Sequence, residues 1–155
     1  MAIIPYLVSI LIANIAGGLG AIFTAGTIEN WYAALTKPSF NPPNWIFGPV
    51  WTMLYTFMGI AAAMIYTRRD HPLRRRALTA YGVQLALNGL WTPLFFGANA
   101  LGVALAEIIV LWFAILATIV LFWRIDRRAS ALLWPYLAWV SFATALNYGL
   151  WALNA

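Results

Sequence analysis

The stretch WYAALTKPSFNPPNWIFGPVWTMLY, residues 31–55, decides how the rest of the chain reads. It holds Trp31, Trp45 and Trp51, the tyrosines Tyr32 and Tyr55, and four prolines at 38, 42, 43 and 49. Each proline removes a backbone donor, fixes φ and biases its predecessor toward extended geometry. Residues 31–43 therefore cannot be one regular helix. They read as a stiff aromatic loop, with a new helix starting near Asn44. Asn44 is the expected N-cap, Trp45 opens the first turn and Pro49 falls near the fifth helical position. A rigid loop with this much ring surface between two apolar runs is suited to covering something. A membrane-interface belt also enriches Trp and Tyr, but it accounts for the rings and not for the proline spacing.

The 155 residues are 64% hydrophobic and 8% charged, with a mean hydropathy of +0.82. Soluble domains carry about 25% charged residues, so this is the composition of an integral membrane protein. The absence of cysteine excludes disulfides, thiolate nucleophiles and cysteine metal sites. Met1-Ala2-Ile3-Ile4-Pro5 lacks a basic n-region, so the first apolar run is expected to stay in the mature protein. Apolar runs lie near 5–25, 45–66, 76–97, 100–123 and 131–152. Each can cross a hydrocarbon core of about 30 Å, which takes roughly 20 helical residues. The runs are continuous rather than alternating, and only helices then satisfy the backbone in lipid. The expected fold is all-α: a five-transmembrane-helix bundle, one membrane domain over 1–155, with 26–44 as its long connection.

Charge orients that bundle. All eight arginines lie in or beside two short connections, Arg68, Arg69, Arg74, Arg75 and Arg76 in one, Arg124, Arg127 and Arg128 in the other. Five spans place both connections and the N-terminus on one side, and Lys37 is alone on the other. The positive-inside rule makes the arginine side cytoplasmic, in a bacterial inner membrane, with loop 26–44 and the C-terminus periplasmic. The net charge of +5 thus reports topology, and no nucleic acid partner is expected.

Polar groups inside a span are costly and need a reason. Gln84, Asn88, Trp91 and Phe95 fall on one face of the third run. Trp139, Ala143, Leu146 and Asn147 share a face of the fifth, and Trp51, Tyr55 and Met58 one of the second. Singly, each amide could be interhelical glue worth roughly 1 kcal/mol. As a set, amides and phenols accompanied by Trp would line one pocket able to orient and stack a flat ligand. Small residues recur at 16–21 in the first run and at Gly82, Ala86 and Gly89 in the third, where close helix contact or a dimer seam is expected. Glu107 is the one acid well inside a span. It is expected to be protonated and hydrogen-bonded to a neighbouring helix, or near the headgroups; a proton-coupling role is the sharper alternative. His71, the single histidine, sits in the arginine loop beside Pro72, so strong haem ligands and metal sites are not expected. No triad, P-loop or carboxylate pair is present in sequence, and hydrolytic chemistry is not expected.

W-Y-x-x-L-x-K-P-x-x-x-P-P from Trp31, W-x-x-L-Y from Trp51, QLALNGLWTPLFFG from Gln84 and PYLAW from Pro135 together resemble the tryptophan-rich sensory protein/translocator protein (TspO) family, also known as the peripheral-type benzodiazepine receptor family, along essentially the whole chain. The resemblance implies a five-helix bundle, usually homodimeric, with a ligand cavity under the first long loop. It implies binding of porphyrins such as protoporphyrin IX, and of sterol-like or drug-like hydrophobes, in tetrapyrrole regulation, transport or stress sensing. Carried over by motif, Trp31, Tyr32, Trp51, Tyr55, Gln84, Asn88, Trp91, Trp139 and Ala143 should line the cavity. Asn147 joins them from the helical face, and Lys37 as the loop-side cation for a propionate. The sterol pattern L/V-x-Y-x-K/R is not completed after the last run, because no Lys or Arg follows Arg128, which weakens the sterol expectation. The inverted pattern occurs once, over Arg76, Tyr81 and Val83. The leading expectation is a receptor or carrier with porphyrin as ligand, membrane lipid around it and no required cofactor. The alternatives are a light-dependent porphyrin-degrading enzyme using Trp51 and Trp139, and an exporter using Glu107.

Overall fold

Ile3–Thr24 is apolar on every side and forms helix α1. Its large side chains Ile4, Leu7, Leu11, Ile15 and Leu19 are all exposed and recur every three to four residues, a stripe facing lipid rather than a core. A computed structural model describes residues 3–24 and 26–155 of the chain. After α1 the chain turns at Gly26, whose φ of 80° favours glycine. It then makes a π-helical turn at Ile28–Tyr32, runs irregularly through the prolines and enters a 3₁₀ turn at Asn44–Ile46. Helix α2 spans Phe47–Thr67, α3 Arg74–Thr92, α4 Leu101–Trp123, α5 Arg127–Ala131 and α6 Trp134–Asn154.

Several boundaries depart from expectation for local reasons. Asn44 does not cap α2: Pro43 is the residue before the 3₁₀ turn, and no side chain caps either start. The extra turn moves Pro49 to the third position of α2, where its missing N–H is one the helix would leave unpaired anyway. Pro93 does not merely kink the third run. It opens a π-helical turn over Pro93–Gly97, since proline cannot donate into the α-helical ladder. Asn99 then reverses the chain at a φ of 53°, a conformation asparagine tolerates. Residues 124–130 are not simply a loop. Asp126 Oδ1 accepts from the backbone N–H of Arg128 (2.9 Å) and Ala129 (3.4 Å), capping the short α5.

Among the described residues, four helical stretches are long and apolar enough to cross a membrane, namely 3–24, 44–67, 101–123 and 127–154. Helix α3 falls outside this set, with Arg74–Arg76, Gln84 and Asn88 along its 19 residues. The closest helix packing runs α2–α1–α3–α4–α6, and rings of α2 meet rings of α6, Phe47 on Trp139 and Trp51 on Tyr136. Small residues make the α1 contacts: a side chain at Gly59 would run into the Ile10 backbone. Two buried clusters result. One centres on Met58, Ile115, Phe122 and Tyr136, the other on Tyr32, Phe95 and Leu150.

Candidate functional site

Where α2 and α6 fail to close backbone to backbone, a cavity of about 340 Å³ remains inside the ring of helices. Phe47, Trp51 and Tyr55 supply the α2 wall, and Asn88 and Trp91, with Phe95 and Phe96 beyond them, the α3 wall. Helix α6 contributes Trp139, Ala143 and Asn147, and α4 Ile108 and Leu111. The rings are ordered against one another. Trp51 stacks on Tyr55 (centroids 5.4 Å, 25°) and Trp91 on Phe95 (4.7 Å, 25°), leaving flat faces toward the space.

A chain of hydrogen bonds fixes these walls. The Tyr55 hydroxyl donates to Asn88 Oδ1 (2.6 Å), Asn88 Nδ2 donates to the Tyr136 hydroxyl (3.0 Å), and that hydroxyl donates to Gln84 Oε1 (2.8 Å). Nearer the loop, Trp91 Nε1 donates to Asn147 Oδ1 (3.1 Å), and Asn147 Nδ2 donates to the Leu101 carbonyl (3.0 Å). Asn88 and Asn147 are thus each held by two partners on other helices, which sets their orientation. Gln84 has one, its Nε2 being buried without a partner among the described residues. Trp139 Nε1 is buried without a partner among the described residues.

The aromatic loop closes one end. Tyr32 is 5% exposed, lines the cavity, packs against Phe95 and Phe96, and donates its hydroxyl to Asn41 Oδ1 (2.8 Å). Burial raises its phenol above the ordinary tyrosine value, more than the Asn41 hydrogen bond lowers it, so the hydroxyl stays protonated and donating at neutral pH. The loop is tied to α6 by Asn154, whose Oδ1 accepts from Thr36 N–H and whose Nδ2 donates to the Thr36 carbonyl, both at 2.9 Å.

Of the residues the sequence singled out, Tyr32, Trp51, Tyr55, Asn88, Trp91, Trp139, Ala143 and Asn147 come together around this cavity. Three do not. Gln84 is buried off the cavity wall, one helical turn from Asn88, and accepts from the Tyr136 hydroxyl, which does not line the cavity either. Trp31 packs its edge on Phe95 at 5.7 Å, outside the wall. Lys37 does not face the cavity either: its ammonium donates to the Ala33 and Leu35 carbonyls and sits 4.9 Å over the Tyr32 ring. Met58, on the same face as Trp51 and Tyr55, lies a turn deeper in the core. Glu107 is 9% exposed, absent from the cavity wall, and its oxygens accept no hydrogen bond from the described residues; the expected interhelical bond is not made.

Sequence reasoning missed the α1 wall, Gly17, Gly20, Ala21 and Thr24. Its signal was the small-residue patch, read only as helix packing. A side chain at Gly17 would collide with the Tyr55 ring, and one at Gly20 would press on Thr92. Tyr136, the fully buried centre of the network, lay inside the PYLAW motif but carried no expected role.

Fold and site together define a helical integral membrane protein with an aromatic cavity inside its bundle. The model of the TspO/MBR family matches residues 9–152, and the chain belongs to that family. It is 42% identical over 140 residues to protein CrtK of Rhodobacter capsulatus, covering 90% of this chain and 86% of that one. It is 41% identical over 157 residues to the tryptophan-rich protein TspO of Archaeoglobus fulgidus, spanning the whole of both. To the human translocator protein it is 41% identical over 138 residues, 88% of this chain and 82% of the relative.

Proposed function

We propose that this protein is a membrane receptor or carrier that holds a porphyrin of the protoporphyrin IX type in the intrabundle cavity. The observation that carries the reading is the pairing of flat ring walls with fixed amide and phenol groups in one cavity. A macrocycle needs faces to stack on, supplied by Trp51 and Trp139, and oriented polar groups at its edge, supplied by Asn88, Asn147 and Tyr32. Gln84 acts from behind by holding Tyr136, and Trp31 by backing Phe95. Lys37 would have to leave the Tyr32 ring to reach a propionate. The names of two relatives, a tryptophan-rich sensory protein and a translocator protein, are in keeping with a ligand-responsive membrane role.

In this reading the chain is one five-span domain. Helix α3 is the fifth span, its arginines lying at the headgroups and its amides turned inward. The arginine end is cytoplasmic, the aromatic loop periplasmic, and the working form a homodimer in a bacterial inner membrane. The test is titration of protoporphyrin IX into the purified protein, followed by Trp fluorescence quenching. Saturable one-site binding weakened on Trp139→Phe at a nearly unchanged melting temperature supports the proposal; no saturable binding ends it. Three oxidisable indoles in the walls, Trp51, Trp91 and Trp139, also suit light-driven degradation of the bound porphyrin. Bleaching under light that disappears in Trp51→Phe would make that the activity.

A further inference from the structure

The end of the bundle opposite the aromatic loop carries chemistry that the cavity does not use. Arg68 Nη2 contacts Asp126 Oδ2 at 2.6 Å, which joins the turn after α2 to the turn after α4. All eight arginines thereby gather at one end, with Asp70 and Asp126 the acids beside them. Asp126 is already engaged by Arg68 and by the start of α5. Arg74 lies 4.7 Å over the Tyr66 ring and Arg127 5.0 Å over the Trp123 ring. Arg69, Arg75, Arg76, Arg124 and Arg128 are exposed and make no ion pair among the described residues. Beside this collar Tyr66, Trp123 and Trp134 are 45%, 50% and 50% exposed, the aromatic side chains that settle at the membrane–water interface.

Topology alone asks only for positive charge on one side. This arrangement adds exposed rings beside the charges, two of them with a guanidinium over the ring face. Rings of this kind settle at the level of the headgroups, and a guanidinium beside them can meet a lipid phosphate with two parallel hydrogen bonds. We propose that this arginine collar is a docking surface for anionic glycerophospholipids of the adjoining leaflet. The guanidiniums take the phosphodiester and headgroup charge while Tyr66, Trp123 and Trp134 lie against the upper acyl chains. Zwitterionic lipids are disfavoured, because their ammonium groups would face the same cations.

The full-length protein, reconstituted in nanodiscs of mixed phosphatidylglycerol and phosphatidylcholine and then released for native mass spectrometry, tests this. Phosphatidylglycerol should be retained over phosphatidylcholine, and the preference should fall as salt is raised. Each charge near an anionic surface is worth roughly fivefold in binding, so Arg75→Gln with Arg128→Gln should cut the preference at least about tenfold. The matching Lys pair should keep most of it, showing that charge and not misfolding is responsible. If the double Gln variant fails to fold, each single variant should still lower the preference several-fold. Equal retention of the two lipids, or a preference untouched by the Gln variants, overturns the proposal. Displacement of the lipid by millimolar inorganic phosphate also overturns it, since the collar would then be a free-anion site.

Discussion

At the scale of single residues, the cavity sets a clear demand on Trp139. Its ring faces the space while its Nε1 is buried and unpaired among the described residues, so the indole edge does not serve the fold through a hydrogen bond. Trp139→Phe keeps most of the volume and should weaken protoporphyrin IX binding by about three- to tenfold at a nearly unchanged melting temperature. A large fall in melting temperature with affinity intact would reassign this side chain to core packing. Asp126 makes the opposite case, a residue of structure. Burial raises its carboxyl, but the Arg68 hydrogen bond, the Arg128 and Ala129 backbone N–H groups and the Arg68 charge outweigh that and hold it below the usual range. A depressed folded-state value means that its stabilisation is present above the unfolded value of about 3.9 and is lost as pH falls through the lower folded value. Asp126→Ala should therefore lower the stability at neutral pH by about 1 kcal/mol through loss of the cap, seen as a lower melting temperature, and the difference from the unaltered protein should shrink below about pH 4. A difference that stays constant into acid would show that the carboxylate charge is not the source.

At the scale of elements, the informative unit is the loop between α1 and α2. Its prolines stiffen it, but what fixes its position is α6. Asn154 grips both backbone groups of Thr36, its Nδ2 is shared with the Leu150 carbonyl, Gly149 leaves room for Pro38, and Phe40 meets Phe142 at 6.3 Å. The last turn of the chain therefore latches the cover of the cavity. Asn154→Ala removes two hydrogen bonds of about 1 kcal/mol each and should speed amide exchange over residues 33–41 by roughly tenfold or more while leaving α2 and α4 protected. Exchange unchanged in that segment would mean that Tyr32 and Phe40 hold the loop without Asn154.

At the scale of the whole molecule, the bundle is polarised: arginines at one end, the rings and the cavity toward the other. The two small-residue patches separate in the same view. In α1, Gly17 and Gly20 are spent within the chain, on Tyr55 and Thr92, and Gly89 of α3 meets the Ala16 carbonyl, whereas Gly82 has nothing within 4 Å of a Cβ position and Ala86 is exposed. If the homodimer forms there, Gly82→Leu should shift cross-linked dimer to monomer with the monomer's fold intact. Persistence of the dimer would place the seam elsewhere.

Much of this was legible in the sequence because it depends on local chemistry. Composition gave the membrane class, the prolines broke the loop, the arginine runs marked one end, and the helical period put Asn88 with Trp91 and Trp139 with Ala143 and Asn147. What only the tertiary structure decided depends on which neighbour comes close. Gln84 shares the face of Asn88, yet it is buried off the cavity wall against the Tyr136 hydroxyl of α6. Lys37 is on the loop side, yet nearby carbonyls and the Tyr32 ring hold it there. The glycines of α1 read as packing, and they are also a wall, because Tyr55 needs the space that a side chain at Gly17 would fill. A cavity is the volume that several helices jointly leave unfilled, and no single helix's periodicity encodes it.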